Sequence, residues 1–367
     1  MTPKVYFTDF CTGNSESLPQ KLSRLILTAG IDQIDFQDKF VAIKIHFGEL
    51  GNMAYLRPGY ARVLVDIIKD LGGKPFLTDC NTMYVGSRKN ALDHIKTAYI
   101  NGFTPYSTGC HVIIGDGLKG TDDVDVPVEG GEYVKSAKIG RAIMDADIII
   151  SLTHFKGHEE AGFGGALKNI GMGCGSNAGK REMHSEGRPE VDAEKCVGCG
   201  TCAKYCAHEG PVMENGIMHI DWTKCMGCGR CMDTCPVKAI HPAYEHSFAC
   251  LNYKIAEYTK AVLDGRPHFH ISLVRDVSPY CDCHGENDLP IVPDVGMFAS
   301  FDPVALDLAC AEAVNAQCPN PGSKLDKSDR SQLDNLTAPF PYVDWRAQIR
   351  HGKKIGLGED TYELVTI

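Results

Sequence analysis

Two runs of four cysteines, each spaced Cys-x2-Cys-x2-Cys-x3-Cys, constrain this 367-residue chain more than any other feature. The first comprises Cys196, Cys199, Cys202 and Cys206, and the second Cys225, Cys228, Cys231 and Cys235. Their surroundings repeat too: Asp192, Lys195, Gly198 and Gly200 recur 29 residues on as Asp221, Lys224, Gly227 and Gly229. Such a repeat implies two related half-modules packed together. The chain has 17 cysteines, an odd number, and eight of them fall between positions 196 and 235. In a reducing compartment a dense, regularly spaced set points to metal rather than disulfides.

The spacing, with Cys235-Pro236 closing the second run, resembles a bacterial two-cluster ferredoxin. That resemblance implies two four-iron (4Fe-4S) clusters with crossed ligation. Cys196, Cys199, Cys202 and Cys235 would hold one, and Cys225, Cys228, Cys231 and Cys206 the other. The glycines between the ligands tolerate unusual dihedrals and let backbone amides approach cluster sulfides. Ala207 departs from the pattern, standing where many such runs have proline, but removes no ligand. Zinc is the alternative, since Cys-x2-Cys pairs also bind it. Zinc needs only two pairs per ion and leaves duplicated four-cysteine runs unexplained.

Outside the insert the chain alternates strands and helices. Apolar runs at Val41–Phe47, Phe76–Thr78, Val112–Gly115, Ile148–Leu152 and His268–Val274 predict buried strands. Helices are predicted from Pro58 to Gly72, over Ala91–Ile100, Gly140–Ala146, Phe248–Leu263 and Asp302–Ala316. The alternation argues for an α/β fold with a largely parallel sheet. The later half has too few elements for a domain of its own. We therefore expect one discontinuous α/β domain, 1–188 plus 244–367, interrupted by a small α+β ferredoxin-like insert, 189–243. The polar stretch from Pro319 to Ile367 is expected to wrap the surface. A formal net charge of −10 offers no basic footprint for nucleic acid. The opening MTPKVYFTDF lacks a signal peptide's apolar run, and no stretch is long enough for membrane insertion, so a cytoplasmic protein is expected.

Reactive side chains gather at predicted strand ends, where open α/β sheets bind ligands. They include Lys44, His46 and Glu49; Asp79, Cys80 and Asn81; Asp116; and His154, Lys156 and His158. Along an extended stretch His154, Lys156 and His158 point to one side. A glycine-rich turn at 162–165 precedes Lys168 and Asn169, and with Lys168 and Lys180 it can offer amides and charge to an anion. Nucleotide motifs fail: Gly179-Lys180 has Cys174 and Arg181 where a phosphate loop needs Gly and Ser or Thr. Cys281-Asp282-Cys283-His284 follows another strand, and Cys281 and Cys283, joined by Cys174, are a candidate third metal or cluster site. Cys250 and Cys310 lie in helical patterns and are expected to pack.

The runs His154-Phe155-Lys156-Gly157-His158 and Gly162 to Gly173 resemble the uncharacterised iron–sulfur-centre proteins built on domain of unknown function 362. Lys44 to Glu49, Asp116-Gly117, Cys281 to Cys283, Pro293 to Gly296 and Ser300 to Ala305 resemble the same family, so the likeness covers nearly the whole chain. It implies the split architecture and a bacterial or archaeal, often anaerobic, setting, and supplies no substrate. The leading expectation is an oxidoreductase whose two clusters exchange electrons with a site in the α/β domain. That site is expected to comprise His46, Glu49, His154, Lys156, His158, Lys168 and Asn169. Lysines would hold an anionic small molecule, and a histidine or Glu49 would move protons. An additional metal, cluster or small cofactor would sit in the same domain, and the partner would be an electron-transfer protein or small redox carrier. A non-catalytic electron carrier, and a metal or iron–sulfur sensor or assembly factor, are the alternatives. Protein prepared anaerobically should contain about eight irons with matching acid-labile sulfide; zinc with negligible sulfide after careful reconstitution would overturn the cluster expectation.

Overall fold

A computed structural model of the chain describes residues 2–243 and 247–367. Eight strands form one mixed sheet: Lys4–Thr8 (β1), Phe40–Lys44 (β2), Lys74–Asp79 (β3), Val112–Ile114 (β4), Ile148–His154 (β5), His268–Val274 (β6), Gly296–Ser300 (β7) and Glu363–Thr366 (β8). Their order is β8-β1-β7-β6-β5-β2-β3-β4. Only β7 runs against its neighbours; every other pairing in the sheet is parallel. The fold is α/β with a mostly parallel sheet.

The central strands read as unbroken apolar runs because both faces are covered, and every residue of β5 is buried. Ala42 and Ile149 point into one core, Ile43 and Ile150 into the other. On the second face lie helices Leu18–Thr28 (α1) and Pro58–Asp70 (α2). Pro58 starts α2, Ala61, Leu64, Val65 and Ile68 form its buried stripe, and Gly72, at φ +86°, turns the chain away. The first face carries Ala166–Cys174 (α3), Ser247–Leu263 (α4) and Pro303–Asn315 (α5). Asp302 caps α5 by accepting from Val304 N and Ala305 N at 2.9 Å each, an interaction worth about 1 kcal/mol.

Several expected boundaries shift. The strand after Phe40 stops at Lys44, freeing Ile45–Phe47 to form a loop. Residues 166–174, which follow the expected glycine-rich turn and carry no expected element, form α3. Here glycine serves close packing: a Cβ on Gly171 would stand 2.3 Å from Ile255 O, and one on Gly173 2.3 Å from the Lys44 side chain. The polar tail does more than wrap the surface. Trp345 is fully buried and packs edge-on against Phe163, and β8 extends the sheet beside β1. One aromatic and a four-residue edge strand are too little to create a periodic pattern.

Strands β6 and β7 come from beyond the cysteine-rich segment yet lie between β1 and β5. Pro189–Val191 and Ile240–Pro242 pair antiparallel with Pro189 opposite Pro242, so the segment leaves and re-enters at one point. The expected boundary at residue 244 lies outside the described residues. Replacing 189–243 by a short Gly/Ser bridge should therefore leave a chain that unfolds cooperatively by circular dichroism. A fragment ending at residue 188 lacks β6 and β7 and should show no cooperative transition.

Candidate functional site

The carboxyl ends of β2, β3, β5 and β6 meet over one polar pocket. Lys44, the last residue of β2, is buried, with Nζ 3.0 Å from Asp79 Oδ1 and 2.9 Å from Asn169 Oδ1. Asn169 Nδ2 donates to Lys44 O, Leu152 O and Thr153 Oγ1, stitching β2 to β5 where their ladder ends. Arg88 pairs with Glu49 at 3.1 Å and lies 3.6 Å from Asp79. Glu49 also accepts from Ser87 N and Leu50 N. Burial alone would raise its carboxyl; Arg88 and Ser87 hold it below the usual range. Glu49 is thus a fixed carboxylate rather than the expected proton carrier. His46 lines the pocket, and its Nδ1 accepts from Gly48 N, leaving Nε2 to carry the ring proton. Burial, with Arg88 and Lys156 nearby, keeps this imidazole neutral.

His154, Lys156 and His158 do gather at one place, with different tasks. His154 bonds Asp282 through Nδ1 at 2.9 Å and Arg275 O through Nε2 at 2.8 Å, which leaves it no free nitrogen. Lys156 Nζ lies 3.1 Å from Asp282 Oδ2 and donates to His154 O. Burial would raise the Asp282 carboxyl, but His154 and Lys156 hold it far below the ordinary range. His158 Nδ1 accepts from Glu160 N and Ala161 N, so Nε2 carries the proton and bonds Cys281.

The charges do not balance. Lys44, Arg88, Lys156, Lys168 and Lys180 all line the pocket. The first three face Asp79, Glu49 and Asp282, whereas among the described residues no carboxylate lies within ion-pair distance of Lys168 or Lys180. Lys180 donates to Gly175 O, and Lys168 stands 3.5 Å from Cys281 Sγ. Burial would lower Lys168, but Cys281 and Cys283 beside it push it up to about 12. The expected anion cradle of backbone amides is already occupied: Ala166 N and Leu167 N, at the start of α3, donate to buried Asp307. Charge here is carried by lysine side chains. The pocket holds about 60 Å³, room for about two waters or one small anionic group.

A second cavity of about 380 Å³ adjoins it, and Tyr84 and Cys283 line both. Its other walls include Tyr205, Ala207, Cys228 and Arg230 of the cysteine-rich segment. Arg230 Nη1 lies 2.6 Å from His284 Nδ1, which ties this segment to the Cys281–His284 turn. Within the segment the sequence repeat is a structural one. Gly200 and Gly229 sit at φ +72° and +71°, each before a short helix. Cys196 N and Cys225 N donate alike to the carbonyls of Asp192 and Asp221. Cys196, Cys199, Cys202 and Cys235 line one small cavity. After burial itself, Cys228, Cys225, Cys202 and Cys206 lie close enough to raise the Cys231 thiol, so cysteines of both runs crowd around it.

Cys174 stands apart from the set expected for it. Its neighbours are Cys80, Lys44, Asp79 and Lys180, whereas Cys281 contacts Cys283, Lys168 and His158. Asn81 and Asp116 pair with each other beside Cys80 and do not line the pocket. Tyr84 and Arg88 belong to no motif and were not foreseen. Asp282 was legible only as the residue between two cysteines.

The sheet, the insert and the charged pocket define an α/β protein with a cysteine-rich module docked at its strand ends. The chain belongs to the family described as Domain of unknown function (DUF362), whose model matches residues 41–312. It is 25% identical over 185 residues to a thylakoid-associated protein of Synechocystis sp., covering 46% of this chain and 50% of that one. The chain therefore matches about half the length of this curated relative. Among solved structures, the lactate racemase apoprotein of Thermoanaerobacterium thermosaccharolyticum aligns with TM-score 0.35 and 10% identity, over 75% of this chain and 51% of that one. A Thermotoga maritima protein aligns with TM-score 0.42 and 12% identity, over 83% and 58%. Among the described residues no helix is long and apolar enough to cross a membrane.

Asp282→Asn leaves buried Lys156 without its counter-charge and should cost about 3–5 kcal/mol in denaturant unfolding at neutral pH. Because the Asp282 carboxyl is depressed in the folded state, its contribution is present above the unfolded carboxyl range. It is lost as pH falls below about 4, so the variant should show a flatter acid limb.

Proposed function

We propose that this protein is an iron–sulfur oxidoreductase that exchanges electrons between the cysteine-rich module and a small anionic substrate in the cationic pocket. One observation carries the proposal: Cys283 and Tyr84 line both the cationic pocket and the cavity walled by Cys228. The crossed ligand sets support the cofactor assignment. Among the described residues no three His, Cys, Asp or Glu side chains converge on a single-ion position, whereas the first set of four cysteines surrounds a void. That arrangement suits a multi-atom group held from its corners. Cys196, Cys199, Cys202 and Cys235 would hold the outer cluster, and Cys206, Cys225, Cys228 and Cys231 the inner one. Bound there, the clusters would supply one-electron transfer. Exposed Cys199 marks the outer end, suited to a partner redox protein or small carrier.

Lys168 and Lys180 select the substrate's anionic group, since among the described residues neither half-buried Lys168 nor buried Lys180 has a carboxylate at ion-pair distance and a bound anion would supply the counter-charge. The 60 Å³ pocket admits a carboxylate or small oxyanion and excludes a nucleotide, while the 380 Å³ cavity takes the rest of the molecule. His46, with its Nε2 proton, and Tyr84 are the groups placed to hold a proton at the substrate. Lys44, Asn169, Arg88, Glu49 and His154 are positioning residues that keep these walls in place.

The test is anaerobic. Dithionite-reduced protein is mixed singly with small carboxylates and oxyanions, and recovery of visible absorbance is followed in a single turnover. At least one should reoxidise the wild type, and Lys168→Ala and Lys180→Ala should each slow that reaction at least ~10-fold while leaving iron content unchanged. Equal rates in wild type and both variants would overturn the pocket as the site, and the electron-carrier reading would stand in its place.

A further inference from the structure

The turn at Cys281–His284 contains two thiols that the proposed substrate site does not consume. His284 N donates to Cys281 O at 3.1 Å, folding the chain so that Cys283 comes back over Cys281. Cys283 N donates to Cys281 Sγ at 3.4 Å, and both thiols are free. Cys281 is buried, with Lys168 Nζ at 3.5 Å and the His158 Nε2 proton turned toward it. Cys283 and burial push the Cys281 thiol up, against the pull of Lys168 and His158, so the pair rests as thiols whose sulfurs lie side by side. Cys283 is half-buried and faces the cavity walled by Cys228. The remaining cysteines outside the insert differ: Cys80 and Cys174 neighbour Lys180 but are buried, with Cys80 Sγ donating to Cys174 O; Cys310 and Cys110 pack in the two apolar cores; Cys250 is half-buried in α4; and Cys11 and Cys318 are exposed.

We infer that Cys281 and Cys283 form a redox-active dithiol that passes two electrons between the cysteine-rich module and the cationic pocket. The inference rests on the iron–sulfur reading of that module. In the oxidising direction both S–H bonds break and one S–S bond forms. Two protons would leave to solvent through the pocket, and two electrons would pass singly to the two one-electron iron–sulfur acceptors that the eight insert cysteines would hold. The reverse reaction breaks the S–S bond with two electrons and two protons. A ring closed across one intervening residue is strained, and strained disulfides are the readily reducible ones. A two-electron couple beside two one-electron centres also matches their capacities.

Anaerobic holoprotein should be oxidised with a mild dye such as thionine, or reduced with dithionite, then alkylated with iodoacetamide and digested. The peptide carrying Cys281 and Cys283 should appear unlabelled and two hydrogens lighter in the oxidised sample, and doubly labelled in the reduced one. Coulometric reduction should consume about four electron equivalents in the wild type and about two in Cys281→Ser and Cys283→Ser, with visible absorbance and cooperative melting retained. Equal labelling in both states, or equal electron uptake in wild type and variants, would overturn the inference. So would a disulfide that stays closed when the visible absorbance bleaches, or labelling that appears only after a chelator, which would mark a metal site. Failure of the oxidoreductase reading looks different: the thiol pair would still cycle, while no small anion would reoxidise the reduced protein.

Discussion

The Asp282 carboxylate holds the functional end of the molecule together. It is fully buried, sits between His154 and Lys156 at the end of β5, and belongs to the turn carrying Cys281 and Cys283. Its own carbonyl accepts from Glu49 N, which joins the loop after β2 to the same turn. One side chain thus fixes the sheet's carboxyl edge, the thiol turn and the pocket wall together. A buried carboxylate between Lys156 and the His154 ring has little freedom to move, because any displacement leaves charge without a partner at low dielectric.

Around that anchor the electrostatics are deliberately uneven. The pairs Lys44–Asp79 and Arg88–Glu49 are compensated and serve the scaffold. Among the described residues Lys168 and Lys180 have no carboxylate at ion-pair distance, and they are the two that the proposed anion would meet. The start of α3 might have offered its amides to an anion, but Asp307 already accepts from them. Selection by ammonium groups alone favours charge over shape, which fits a small pocket opening into a larger cavity.

Docking of the module depends on few contacts, all near the strand ends. Arg230 reaches His284, His208 reaches Met83 O, and a Cβ on Gly229 would collide with Glu160. These contacts place Cys228 beside Cys283 although 55 residues separate them in sequence. Between them the chain passes through α4 and β6.

The duplicated cysteine runs, the strand–helix alternation and the polar residues at strand ends were all legible from residue order, because each depends on local spacing. The bounds of β6 and of the helix Ala91–Ile100 could be read directly, since an apolar run or stripe is itself the physical cause of the element. What each polar residue does was not legible. His154, Asn169 and Glu49 looked like reactive groups, yet their hydrogen bonds are taken up by Arg275, by Lys44 with Leu152, and by Ser87. The separation of Cys174 from Cys281, the capping of α3 by Asp307 and the buried Trp345 were equally invisible. Sequence by itself determined which residue types are present and which elements they favour. Tertiary structure alone decided which charges remain uncompensated, because compensation is a matter of distances between strand ends that residue order does not bring together: Lys44 meets Asp79, Arg88 meets Glu49 and Lys156 meets Asp282.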